Sequence, residues 1–389
     1  MGVTQIQNKT PIPEEAKVRI ENVRQTLYRI VVGHDHVIDA AIYALIAKEH
    51  AVVIGPPGTA KTMLATSLSR LLSARHYTYL MTRFTTFDEL FGPIDVLALT
   101  KGELRRKWSA IVEADIVFLD EIFKASSAIL NALLSLMQER VMYDPLTGSA
   151  VETKLWTLIA ASNEVPSDEE LQALYDRFAV RVFVQYLDDD AKLLSALMAR
   201  WQTSSTTIQL LASMEDVKTL HEYAIALLSG KDIIKLYHVN VVPLVKTLRA
   251  RGIIVSDRFI IEKLYKLYAA YLALQGVTPD NIINAAYDIM LYAARTPQEL
   301  NDIKKAVDES LGEVAELSRK LEQGKQMLRV GNLHAALEAF REVAAYDVSR
   351  LTSRPWLKPR VEALIRAAQD YVRKTQEIIQ QIRALQESA

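Results

Sequence analysis

The chain has 389 residues, a net charge of -1, 50% hydrophobic residues and no cysteine. That length holds about two or three domains with a core in each, and the near-neutral balance gives no electrostatic reason to expect nucleic acid or an anionic membrane as partner. The absence of cysteine excludes a disulfide framework and a thiolate metal centre and suits a reducing cytoplasm, while no signal peptide is expected and Lys48, Glu49 and His50 interrupt the best apolar run short of a membrane span.

Met1-Gly2 opens like a myristoylation signal, but Ile6 stands where that signal needs Ser or Thr. Further along, I-V-V-G-H-D-H-V-I carries His34 and His36, which read as polar turn residues, since the seven histidines show no metal-ligand spacing. Residues 51–62 then read A-V-V-I-G-P-P-G-T-A-K-T, an apolar strand running into a Gly-rich loop that closes on Lys-Thr. Gly55 and Gly58 let the backbone curl so that successive amides point at phosphate oxygens, and the helix expected over 63–72 adds its positive end. Lys61 is expected to reach the β and γ phosphates, and the Thr62 hydroxyl to ligate a magnesium ion bridging them. ATP and Mg2+ are thus the expected ligands, with Gly55, Pro56, Pro57, Gly58, Thr59, Ala60, Lys61, Thr62 and Met63 as the nucleotide-binding segment.

After a strand near 78–83 comes a segment over 85–109 with Phe87, Leu90 and Phe91, then I-D-V-L-A-L. The alternation of Ile94, Val96 and Ala98 before a Lys101-Gly102 turn predicts a β-hairpin, with Arg105, Arg106 and Lys107 as its solvated edge. Residues 114–120 (A-D-I-V-F-L-D) form an apolar run of the kind found in buried parallel strands, ending in Asp120 and Glu121. Asp120 would hold magnesium through its water shell, and Glu121 would polarise the attacking water. A second hairpin is predicted over 141–152; both hairpins are either working surfaces or packing decorations of the sheet. The strand over 154–161 ends in Ser162 and Asn163. Asn163 either contacts the γ phosphate or the attacking water at the carboxyl end of the strand, or caps the turn before Pro166.

Beyond Leu187 strand patterning stops. A helix over 188–203 is followed by the polar break T-S-S-T-T at 203–207, and 214–305 is helical around one apolar interlude, I-I-K-L-Y-H-V-N-V-V. Ser256 is the natural N-cap of the helix that carries Arg258. Residues 307–389 are nearly all helix-forming, with long runs over 307–328 and 359–386. G-N-L-H-A-A-L-E-A-F between them is similar to one helix pair of a tetratricopeptide repeat, though a single copy cannot build a repeat domain.

G-P-P-G-T-A-K-T, I-V-F-L-D-E-I-F-K-A, L-I-A-A-S-N-E, L-Y-D-R-F and V-S-D-R-F, in this order, resemble an AAA+ ATPase of the MoxR family, and within it the RavA type, over roughly residues 20–305. The resemblance implies an α/β P-loop NTPase core with a parallel sheet (1–187), the first helix of a discontinuous bundle (188–213), an all-α lid (214–306) and a C-terminal helical bundle (307–389). It implies that Val32 and Gly33 flank the adenine, Asn163 is the first sensor, Arg258 the second, and Arg177 the arginine finger of a neighbouring subunit's site. Arg181 is either a second intersubunit contact or a solvated charge.

A finger in trans implies a ring, by resemblance a hexamer; the first hairpin resembles the family's helix-2 insert, which faces the pore, and the second its pre-sensor hairpin. The implied function is Mg-dependent ATP hydrolysis that remodels or assembles protein complexes in the cytoplasm. Protein clients, including von Willebrand factor A proteins, are the expected partners, with neither nucleic acid nor membrane. The alternative is a nucleic-acid-acting motor or regulator on the same core, against which stand the missing DNA-binding module and basic face. A non-hydrolysing scaffold would not need Lys61, Thr62, Asp120, Glu121 and Arg177 together. The chain also lacks the β-rich domain that larger RavA-type members carry between their terminal helices.

Overall fold

Four of the five strands of one parallel sheet are largely buried apolar runs. β1 (Ala51–Ile54) and β6 (Thr157–Ser162) are buried throughout, and β3 (Ile116–Asp120) and β7 (Val180–Phe183) are buried except at their last residue, as strands covered by helices on both faces must be. β2 (His76–Leu80), with alternating exposure, forms an edge, and the order is β2-β3-β6-β1-β7 with every neighbouring pair parallel. The register pairs Ile54 with Ser162 and Leu80 with Asp120, so the carboxyl ends of β1, β3 and β6 deliver Gly55, Glu121 and Asn163 to the same edge of the sheet. The structure, a computed structural model, describes residues 13–187, 190–202, 210–329, 331–351 and 358–387. Ile6 and the polar break at 203–207 lie outside the described residues.

The second hairpin forms as β4 (Val141–Tyr143) against β5 (Ala150–Glu152), antiparallel. The first does not. Ile94 and Arg106 make an isolated antiparallel bridge, but the tip is a short helix, Val96–Leu99. The Asp95 carboxylate accepts from the Ala98 amide at 3.1 Å and the Asp95 carbonyl from Leu99 at 3.0 Å, so a side-chain cap closes a helical turn where alternation suggested a strand. The basic cluster is corrected as well: the Arg106 side chain is 1% exposed and paired with Asp88 and, at 3.2 Å, with the equally buried Asp144, tying this insert to the β4–β5 hairpin. The interlude after residue 233 is helical too, within a single helix Lys231–Ala250.

The chain divides into two compact units. The first comprises the residues up to Ile234 with Val255–Val277 and Asp288–Leu300 and holds the sheet. The second comprises Lys235–Ile254, Thr278–Tyr287 and the residues from Asn301 onward. Its helices Leu333–Ala344 and Lys358–Glu387, with the part of the Pro297–Arg329 helix from Asn301 onward, share a core of Val314, Leu317, Leu321, Phe340, Val343, Val361 and Leu364. Phe340 stacks on Tyr371 at 4.9 Å, and a Cβ on Gly324 would lie 2.5 Å from the Phe340 ring, so this helix pair closes only over glycine.

In the first unit His50 is buried and fully bonded. Its Nδ1 accepts from the Leu158 amide at 2.9 Å, which leaves the ring proton on Nε2 to be donated to the Met137 carbonyl at 3.0 Å. Burial, and then the adjacent Arg140 guanidinium, push its pKa well below the ordinary value. His34 and His221 shift the same way, mainly by burial. A histidine kept neutral in the fold is protonated more readily in the unfolded chain, so stability is full above about pH 6.5 and falls below it, by about 1.4 kcal/mol per pH unit for His50 alone. Urea midpoints from pH 8 to pH 5 should drop steeply below 6.5 in the native protein and less steeply in His50→Gln; equal slopes would remove His50 from the effect.

Candidate active site

The loop after β1 is shaped by its glycines for two different reasons. Gly58 has φ +82° with open space at its would-be Cβ, so only its conformation calls for glycine. Gly55 is constrained by contact: a Cβ there would lie 2.3 Å from the Val184 carbonyl oxygen. Ala60, also left-handed at φ 60°, heads the Lys61–Leu71 helix without a side-chain cap, leaving first-turn amides free to meet an anion. Thr59 braces the turn by donating to the Pro56 carbonyl at 2.9 Å. Pro57 and Met63 complete the loop and the first turn. Lys61, 9% exposed, donates to the carbonyls of Gly55 (2.6 Å) and Pro56 (2.9 Å), and its pKa is lowered by burial against the opposing pull of Asp120 and Glu121.

The carboxylates come from the end of β3. Thr62 Oγ1 lies 3.4 Å from Asp120 Oδ2, and the Glu121 amide donates to Asp120 Oδ1 at 3.0 Å. Glu121 itself sits at φ 53°, a strained conformation for a residue with a side chain. Its carboxylate accepts from Asn163 Nδ2 and lies 3.5 Å from Lys124 Nζ. The other end of the Asn163 amide accepts from Lys61 Nζ at 3.4 Å. The turn after β6 is closed by Ser162 instead, whose hydroxyl donates to the Glu164 carbonyl at 2.8 Å and accepts from the Glu164 amide at 3.2 Å. Lys61, Thr62, Asp120, Glu121 and Asn163 thus form one contact network. A pocket of about 940 Å³ opens onto it, lined by Glu121, Asn163, Arg83, Lys124 and Ser126 among others.

Arg177 and Arg258 form a second cluster. Among the described residues no hydrogen bond or ion pair joins it to the first. With the Gln138 amide turned so that its oxygen faces the guanidinium, Gln138 accepts from Arg177 at 2.6 and 2.7 Å. Burial, then the Arg258 charge, lower the Arg177 pKa. Arg258 heads the helix capped by Ser256, whose hydroxyl accepts from the Phe259 amide at 3.2 Å, and its Nε pairs with Glu262 at 3.0 Å. Arg181 fits neither expectation. It is 5% exposed, bonded to Asp176 at 3.3 Å and the Ala293 carbonyl at 3.4 Å, and packed over the rings of Tyr175 and Phe259, so it is internal to the fold.

Val32 and Gly33 lie in the loop before the buried Asp35–Ala47 helix. Gly33 has φ +85°, and a Cβ there would meet a Leu187 methyl at 2.4 Å, while His36 Nε2 is 3.2 Å from the Phe183 carbonyl, so this loop packs on the end of β7. Lys124, Gln138 and Lys263 were not singled out in the sequence. Of these only Lys124, one helical turn beyond Glu121, had a local signal.

Residues 18–222 match the family described as the MoxR domain in the MoxR-vWA-beta-propeller ternary systems. An uncharacterized protein of Methanocaldococcus jannaschii is 35% identical over 242 residues, covering 61% of this chain and 62% of that protein. A Holliday junction branch migration complex subunit RuvB of Anaeromyxobacter sp. (strain K) is 29% identical over 201 residues, 48% of this chain and 54% of RuvB. The chaperone MoxR1 of Mycobacterium tuberculosis is 30% identical over 117 residues, 29% of each chain. The chain therefore spans at most 62% of the length of these relatives. The crystal structure of a candidate ATPase from Cytophaga hutchinsonii shares the fold, with a TM-score of 0.56 at 21% identity over 75% of this chain and 96% of that one. With a parallel-sheet α/β core, a helical C-terminal part and a family match over more than half of its residues, the chain belongs to the MoxR family of AAA+ ATPases.

Proposed function

We propose that the chain binds ATP with Mg2+ in the loop between β1 and the Lys61–Leu71 helix and hydrolyses it, as a subunit of a hexameric ring, to remodel or assemble protein complexes in the cytoplasm. The contact network Lys61–Asn163–Glu121 beside Thr62–Asp120 carries this reading. Lys61 and the uncapped helix amides take phosphate oxygens, and Val32 and Gly33 flank the base. The Thr62 hydroxyl and Asp120 carboxylate are the hard oxygen donors that Mg2+ prefers and would hold it, and the bound ion offsets phosphate charge. Glu121 polarises the attacking water with its carboxylate aimed by Asn163, Arg258 senses the nucleotide, and Arg177 serves the neighbouring site.

The family description pairs this domain with vWA and β-propeller components, and proteins of those two kinds are the partners we propose. A RavA-type subfamily is proposed on the sequence motifs alone. The similarity to RuvB favours one other reading, a nucleic-acid motor, against which stands the net charge of -1. Phosphate release by the purified protein should require Mg2+, stop with EDTA, and change little with duplex or single-stranded DNA. A rise of tenfold or more with DNA would favour the motor, and no release at ring-forming concentrations would sink the ATPase reading.

A further inference from the structure

The segment that carries Arg177 is gripped from outside its own helix. Asp176 caps the Glu169–Tyr175 helix, and two arginines reach its carboxylate: Arg181 at 3.3 Å and Arg295 at 2.8 Å. Arg295 is fixed in turn, donating also to the Gln172 side chain at 3.0 Å, while its carbonyl accepts from the Tyr175 hydroxyl at 2.8 Å. The main-chain contact is more telling. Lys263 Nζ donates to the Asp176 carbonyl, and the Arg177 amide donates to the Leu174 carbonyl at 2.9 Å. That carbonyl and that amide belong to one planar peptide unit, so the plane from which the Arg177 side chain departs is held at both ends.

Lys263 and Arg258 share one continuous helical stretch. Residues Phe259–Leu264 form a π-helical turn running directly into the helix Tyr265–Gln275. A π-turn, with its bonds from residue i to i+5, brings a residue and the fifth one beyond it toward the same face. Lys263 pays for its place in charge: burial, with Arg181, Arg177 and Arg258 nearby, brings its pKa to about 8 against the pull of Glu49. A lysine held among three arginines to bond one carbonyl is poorly explained as a surface charge.

We propose that Lys263, seconded by Arg295, is a positioning residue for Arg177: a shift of the helix headed by Arg258 in one subunit moves the finger that the same subunit presents to the next. This rests on the reading of Arg177 as a finger in trans. The test separates the two ideas by mixing subunits that complement each other. Lys61→Ala subunits present an intact finger but no working site, and Arg177→Ala subunits a working site but no finger, so a mixture should turn over ATP where neither does alone. Absence of complementation refutes the finger reading before Lys263 is touched.

Given complementation, Lys263→Met placed in the Lys61→Ala subunit should lower mixed-ring turnover roughly 10- to 100-fold, the scale of a misplacement of about 1 Å. The same substitution in the Arg177→Ala subunit should leave it within about twofold, and Lys263→Arg in the finger donor should restore part of the loss. No loss in the donor, or equal loss in either position, overturns the proposal, since a general defect of the lid would act in the subunit that holds the nucleotide. Should Lys263→Met fail to enter rings, Arg295→Met in the same two positions must give the same one-sided pattern or the proposal falls.

Discussion

Replacing Glu121 with glutamine should lower ATP turnover by roughly 10²- to 10⁴-fold, the range for loss of a positioned general base, while nucleotide affinity should stay within a few-fold of native. Glutamine keeps the shape and can still accept from Asn163 Nδ2, so the network around Lys61 survives. What it loses is charge. The pair with Lys124 at 3.5 Å matters little, because Lys124 is 54% exposed and such pairs are worth about 0–1 kcal/mol. The remaining difference is the ability to draw a proton from water. The backbone at Glu121 argues for the same role: φ 53° is maintained at the end of β3 for a residue that gains nothing sterically by it, as strain at working positions often is. Phosphate release and binding of a fluorescent ATP analogue, measured side by side, check this. Turnover within threefold of native would remove Glu121 from the chemistry; loss of binding would make it part of the cradle instead.

The strand-loop-helix of the nucleotide site was legible because its determinants are local. β1, Gly58 and Lys61 lie within one short stretch, and the required backbone is written in the residue types themselves. Asn163 stayed ambiguous for want of a partner in sequence; in the fold Ser162 closes the turn, and the Asn163 amide contacts Lys61 and Glu121. Arg106, which reads as part of a solvated edge, and Arg181, which reads as either an intersubunit contact or a solvated charge, are illegible for a similar reason. Arg106 is matched by Asp144, 38 residues away, and Arg181 by the Ala293 carbonyl, 112 residues away. Periodicity misleads at Val96–Leu99, where a single aspartate at Asp95 outweighs a two-residue alternation because capping satisfies an amide that a hairpin tip would leave to water.

Arg177→Ala should cost about 10³- to 10⁵-fold in turnover, the effect of an arginine finger on phosphoryl transfer, with nucleotide affinity unchanged. The cluster is what makes the large figure reasonable. Among the described residues no carboxylate forms an ion pair with Arg177; the neutral Gln138 amide lies against it, and Arg258 is close enough to lower its pKa. A partly buried guanidinium beside Arg258, with Asp176 acting on it only through space, is less favourable alone than once an anion arrives. Removing it therefore relieves repulsion: the melting temperature of Arg177→Ala should equal or exceed the native value, and Lys263, which Arg177 helps hold at about 8, should titrate higher. This combination, lost turnover without lost stability or binding, is hard to produce by misfolding. If Arg177 acts on a neighbour in a ring, as proposed, native specific activity should also rise with protein concentration, while Arg177→Ala stays flat. A native rate independent of concentration down to monomer, or an Arg177→Ala variant of normal turnover, would mean that the cation completing the site comes from within the subunit, and Arg258 would be the residue to examine.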